Sequence, residues 1–244
     1  MIIQLLIACS VFVSFWIGVI VLKKDYRKKL NLSFAIFSFT ISIWSLVNLI
    51  SGFSNFELLI KLTFGVGAFL PPLATLWVSY FIQGNKLSGK RRLNLLVYFL
   101  LSVLFLILSI FTNTIAAGSI IEVSFGSLFY FYTIFLFTAI IIPIYLIIKF
   151  YIQAIGIYRL QAKYIILGLG FFGASTLLVS FALPSFGLQQ FGRLDSVSSL
   201  FFSLLSAYAI VKHRFLILDS SSANPSSLLV WPSSSSWLIT ALLG

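Results

Sequence analysis

Few residues in this 244-residue chain have the chemistry to make a site. Near the end of one long apolar run stands Asn48, with Trp44 one helical turn before it. Lys61 opens the next run, and Tyr130 and Tyr132 open a later one. An amide, an indole, an ammonium and two phenols at the same end of several helices could line a cavity for an unknown small or membrane-soluble ligand. The same residue types also form ordinary interfacial belts, and a lysine at a helix end snorkels toward water. The remaining candidates are poor. His213 is the sole histidine and lies between Lys212 and Arg214. Cys9 is the only cysteine and lies inside an apolar run, so neither a disulfide nor a thiolate metal site is expected. No second cluster of His, Cys or carboxylates completes a metal site, and no cofactor is expected.

The elements that must position these residues are membrane helices. The chain is 60% hydrophobic and 9% charged. Soluble domains carry about 25% charged residues, and no water-soluble core could hide this much apolar surface. The net charge of +11 does not point to nucleic acid, because the basic residues fall in short clusters between apolar runs. Seven stretches approach the roughly 20 residues that a span requires. They are Ile2–Leu22, Leu30–Ile50, Leu62–Ile82, Leu93–Phe111, Leu128–Ile148, Tyr164–Leu183 and Ser196–Val211. The seventh is the shortest and most polar, and its serines are expected to face other helices, where small residues permit close approach.

Fourteen of the sixteen Lys and Arg residues lie in one set of connections and at the end of the seventh span. The opposite set holds only Lys61 and Arg193, with Glu57, Glu122 and Asp195. The positive-inside rule then places the N-terminus outside and the C-terminus in the cytoplasm. The first segment has no basic residues before it and reads as a retained helix, not a cleaved signal. The opposite connections are short, so a ligand must meet the helices themselves. By this reading the span interiors hold no Asp, Glu, Lys, Arg or His. That weighs against pumps, proton relays and ion-coupled transport. Lys212 lies at the end of the seventh span, the wrong place for a retinal Schiff base. The glycines of "GLGFFGAS" (Gly168 to Ser175) lie within a span and read as packing, not as a nucleotide loop. Pro71, Pro72 and Pro143 should kink their helices.

Several stretches resemble the N-terminal seven-transmembrane region of bacterial sensor histidine kinases, a region also found ahead of diguanylate cyclases. They are "FAIFSFTISIWSLVNLI", "KLTFGVGAFLPPLATLWVSYFIQ", "FTNTI", "GSLFYFYTIF", "YRLQAKYIILGLG" and, most specifically, "SLLSAYAIVKHRFLILD". The resemblance covers about residues 1–219 and implies a receptor bundle whose seventh helix feeds a cytoplasmic output. Lys212, His213 and Arg214 would begin that connector. It also leaves room for a homodimer, and it supplies no ligand residues. The pattern departs after Asp219. Residues 220–244 hold nine serines and no charge, with Pro225 and Pro232 among them. They read as a disordered tail or a truncated end.

The expectation is therefore an all-α integral membrane protein of seven helices, without catalytic activity, acting as a sensor for a missing or separate output. The competing class is a polytopic transporter or a subunit of a lipid-processing membrane enzyme. A cavity reaching both faces, or internal repeat symmetry, would favour that class.

Overall fold

The computed structural model describes residues 2–54, 56–118, 123–183, 186 and 194–213. Eight α-helices account for most of them: α1 (Ile2–Lys24), α2 (Lys29–Ser51), α3 (Glu57–Gly67), α4 (Leu70–Gln83), α5 (Gly89–Phe111), α6 (Phe129–Gln153), α7 (Gly156–Leu177) and α8 (Leu194–His213). Short strands β1 (Ala116–Gly118) and β2 (Val123–Phe125) pair antiparallel between α5 and α6, with Ala117 opposite Ser124. The sequence had offered no sign of this hairpin.

Among the described residues, six helical segments are long and apolar enough to cross a membrane, with Glu57–Gln83 counted as one. The seventh, in α8, has a shorter apolar stretch at Leu194–Ser206. The last span was the most polar in the sequence, and the reason is visible. Its serines face α1 and α2 rather than lipid.

The third span is two helices because of its prolines. Pro71 and Pro72 fall in the first turn of α4, the part of a helix that best tolerates proline. The α3 helix ends at Gly67, just before them. Pro72 cannot donate to the carbonyl of Ala68, the residue four before it. Ser102 of α5 supplies the missing donor, with its Oγ 2.8 Å from the Ala68 oxygen. That hydroxyl is shared with the Tyr98 carbonyl at 2.9 Å. Pro143 lies inside α6 without ending it.

Two apolar blocks hold the helices together. One joins α1, α2, α4, α6, α7 and α8 around Trp77, Phe34, Phe37, Trp44, Phe172 and Phe202. The Trp77 ring sits 4.9 Å from Phe34 and 6.0 Å from Phe202, centre to centre. The other joins α3, α5, α6 and β1 around Phe105, Phe129, Tyr132 and Phe135. Beyond these blocks the surface carries many exposed Leu, Ile and Phe side chains, such as Phe12, Leu100 and Phe131. A helix bundle with that exterior is at home in hydrocarbon.

Candidate functional site

The bundle has a basic end, marked by the α1–α2, α4–α5 and α6–α7 connections, and an opposite end where α2 meets α3 and α7 approaches α8. The candidate residues lie near the opposite end. Asn48 stands in the last turn of α2, seven-hundredths exposed. Its Nδ2 donates to Ser196 Oγ of α8 at 2.8 Å. Its Oδ1 accepts from Thr63 Oγ1 of α3 at 3.4 Å. One amide thus joins three helices, and its demand for partners is met on both sides.

Trp44 and Tyr132 belong to the same neighbourhood. The Tyr132 hydroxyl donates to the Phe64 carbonyl at 2.7 Å. A β-carbon added to Gly67 would meet Trp44 Nε1 at 3.3 Å and the Tyr132 hydroxyl at 3.5 Å. Gly67 therefore lets the α3 backbone lie between an indole from α2 and a phenol from α6. Trp44 also meets the Phe172 ring edge-on at 6.1 Å.

The other two expected lining residues go elsewhere. Tyr130 is 76% exposed, and its ring contact is with neighbouring Phe129. Residues two apart on a helix do not share a face, so Tyr132 pointing inward turns Tyr130 outward. Lys61 does not simply snorkel. Its Nζ lies 2.9 Å from Glu57 Oε1, one turn earlier on α3. Lys212 and His213 form the last residues of α8, and Arg214 lies outside the described residues. So do Asp219 and residues 220–244.

Asp195 corrects the reading of charge. It lies not in a connection but in the first turn of α8, and it is only 6% exposed. Its Oδ2 accepts from Ser180 Oγ at 2.7 Å and its Oδ1 from Ser196 Oγ at 3.2 Å. Ser180 comes from a π-helical turn, Leu178–Ala182, that extends α7. In that turn the Leu183 N–H reaches back five residues to the Leu178 carbonyl. Ser196 then links Asp195 to Asn48, so the chain Ser180–Asp195–Ser196–Asn48–Thr63 crosses from α7 to α3. A residue at the edge of an apolar run gives no sequence sign of burial, because its partners lie on other helices.

From Asn48 a polar seam continues toward the basic end. Ser199 lies 2.6 Å from Ser10 and 3.4 Å from Ser45, oxygen to oxygen. Ser203 lies 2.7 Å from Ser14, one turn further along. Ser42 donates to the Val11 carbonyl at 3.0 Å. Ser10, Ser14, Ser45, Ser199 and Ser203 are all buried. The seam fastens α8 to α1 and α2 by hydroxyls spaced one turn apart.

Comparison with known families decides the assignment. The family model described as the N-terminal 7TM region of histidine kinase matches residues 6–220. The chain belongs to this family. It is thus a multi-pass membrane protein built as a sensor region. No curated protein and no solved structure gives a significant match. The histidine-kinase sensor region carries polar residues at its helix interfaces in this chain. Among the described residues, no group of three or more His, Cys, Asp or Glu side chains could hold a metal.

Proposed function

We propose that this sensor region reads a ligand at the end of the bundle where Trp44, Asn48 and Tyr132 converge, and reports it through α8. The observation that carries this reading is the hydrogen bond from Asn48 to Ser196. It joins the candidate site directly to the helix that runs to the basic end. A ligand competing for either side of the Asn48 amide would trade one helix–helix bond for another. It would bias the bundle between two packings in proportion to its preference for one of them.

In this reading the N-terminus is outside and the basic end is cytoplasmic, as the distribution of Lys and Arg supports. Residues 1–219 act as the sensor and 220–244 as a dispensable tail. Lys212, His213 and Arg214 start the connector to a cytoplasmic kinase-type output, in cis or on a separate chain. The region performs no catalysis itself, and a homodimer would bring two connectors together.

The test is a fusion. A histidine-kinase output joined in helical register after Asp219 should give a membrane-bound kinase. Its autophosphorylation should vary with inserts of one to four residues, with a period of about 3.6 residues. The unfused chain should incorporate no label from ATP. Activity indifferent to insert length would overturn the connector, and labelling of the unfused chain would overturn the non-catalytic reading.

A further inference from the structure

Asp195 is a buried acid that ties α7 to α8 through Ser180 and Ser196. The functional reading above rests on Asn48 and leaves this carboxyl without a role. A carboxyl group within a membrane helix bundle is expensive unless function or a firm set of partners justifies it. Asp195 is 6% exposed, and its two oxygens are met by the hydroxyls of Ser180 and Ser196. Among the described residues, the ion pairs Lys28–Asp25 and Lys61–Glu57 do not include it.

We propose that Asp195 is a proton-binding site at the junction of α7 and α8, whose occupancy sets the hydrogen bonding of the π-helical turn. Burial disfavours a net charge, whereas two hydroxyl donors and the N-terminus of α8 favour it. A group under opposed influences of this kind exchanges its proton as conditions change. In the ionised form the carboxylate accepts from Ser180 Oγ and Ser196 Oγ. Binding one proton from water makes an O–H on Oδ2, which becomes a donor. Ser180 Oγ must then accept that hydrogen, and its own hydrogen needs a new acceptor. A serine in a helix can donate to the carbonyl four residues before it, here that of Thr176. The Thr176 hydroxyl oxygen, in the last turn of α7, is itself buried with no hydrogen-bond partner among the described residues. Proton binding therefore reverses one hydrogen bond and changes how the π turn is held. π-helical turns inside α-helices often mark such functional positions.

The groups around Asp195 leave it as the one poised to exchange. From α3 come Glu57 and Lys61, which are paired with each other. From α6 comes Tyr132, whose hydroxyl is spent on Phe64. From α2 comes Asn48, which is neutral. On α1 the titratable side chains are Cys9, which is exposed, and Lys23 and Lys24, which lie in its last turn at the basic end. The last three turns of α7 contain no titratable side chain. Arg193 lies outside the described residues, and its contribution is tested directly.

The full chain in phosphatidylcholine nanodiscs, titrated with acid and followed by infrared difference spectroscopy, tests the site without any ligand or output. The wild type should gain a carbonyl band of a buried carboxylic acid as pH falls. Asp195→Asn should lack that band. Ser180→Ala removes a donor to the charged form, so proton binding should tighten about tenfold and the midpoint should move to higher pH. Glu57→Gln and Arg193→Gln should retain the band. The proposal is overturned by a wild type without the band, a band that survives Asp195→Asn, an unmoved midpoint in folded Ser180→Ala, or loss of the band in Arg193→Gln. Should Asp195→Asn not fold, the Ser180→Ala midpoint carries the test. Because the band is read without a kinase fusion, failure here and failure of the sensor reading are distinguishable.

Discussion

Two faces of α8 are held by opposite means. Toward α1 and α2 it offers Ser196, Ser199 and Ser203, which meet Asn48, Ser10 and Ser14 through single hydroxyl bonds. Toward the interior it offers Phe202, packed on Phe37 at 5.3 Å and on Trp77 at 6.0 Å. In lipid, apolar side chains gain little by leaving the solvent, because the solvent is itself apolar. The aromatic face therefore holds by shape and dispersion, and filling its volume is what counts. The serine face holds by direction. Each hydroxyl meets its cross-helix partner at a fixed height along the bundle, so sliding α8 by a single residue would disturb these pairs. The aromatic block gives the bundle its cohesion, and the seam gives α8 its register.

Emptying the aromatic block should have the largest effect. Trp77 is 1% exposed and touches three other rings. Trp77→Ala should cost about 3–5 kcal/mol, read as unfolding of the reconstituted protein by steric trapping. A loss below about 1 kcal/mol would mean that lipid fills the gap and cohesion lies elsewhere. Next comes Ser102→Ala, which strands the Ala68 carbonyl at the break in the third span. A cost of about 1–2 kcal/mol is expected, with faster amide exchange around Ala68 and Phe69. Unchanged exchange would show that the carbonyl finds another donor.

The smallest effect tests the seam itself. A double-mutant cycle on Ser10 and Ser199, each changed to Ala, should give a coupling of about 0.6 kcal/mol, typical of interhelical hydrogen bonds in membranes. The same pair should change register more than stability. Disulfide trapping between cysteines introduced on the lipid-facing sides of α1 and α8 should spread to neighbouring positions in the double variant. A single sharp trapping position would show that the aromatic block sets the register.

The sequence made the spans legible because hydropathy and charge are properties of residues taken one at a time. Lys23 to Lys29 ends one helix and starts another wherever it occurs. Pro71–Pro72 likewise announced a break, though not that Ser102 would repair it. The serines of the last span announced close packing, and Ser199 and Ser203 provide it. What escaped depended on partners. Asp195 stands one residue before the expected edge of the seventh span, where a charge is ordinarily solvated. Ser180, brought close from the π turn of α7, joins Ser196 in making its burial tenable, and nothing in "LLVSFA" advertises that turn. The inward turn of Tyr132 and outward turn of Tyr130 follow from helix periodicity, but which of them faced in depended on where α3 lay. The hairpin at Ala116 and Val123 is too short to leave an alternating pattern.

The pairs Ser10–Ser199 and Ser14–Ser203 each join residues 189 positions apart. A ribosome adding about 5–20 residues per second needs roughly ten to forty seconds to cover that distance. Throughout that interval α1 is already in the bilayer with its serine stripe unanswered by the partner it will finally have. The nascent chain must shelter those hydroxyls on α1's own carbonyls, on α2 or at the insertion machinery. The last helix, the least apolar of the spans, thus meets its matching serines only after every other span has been made.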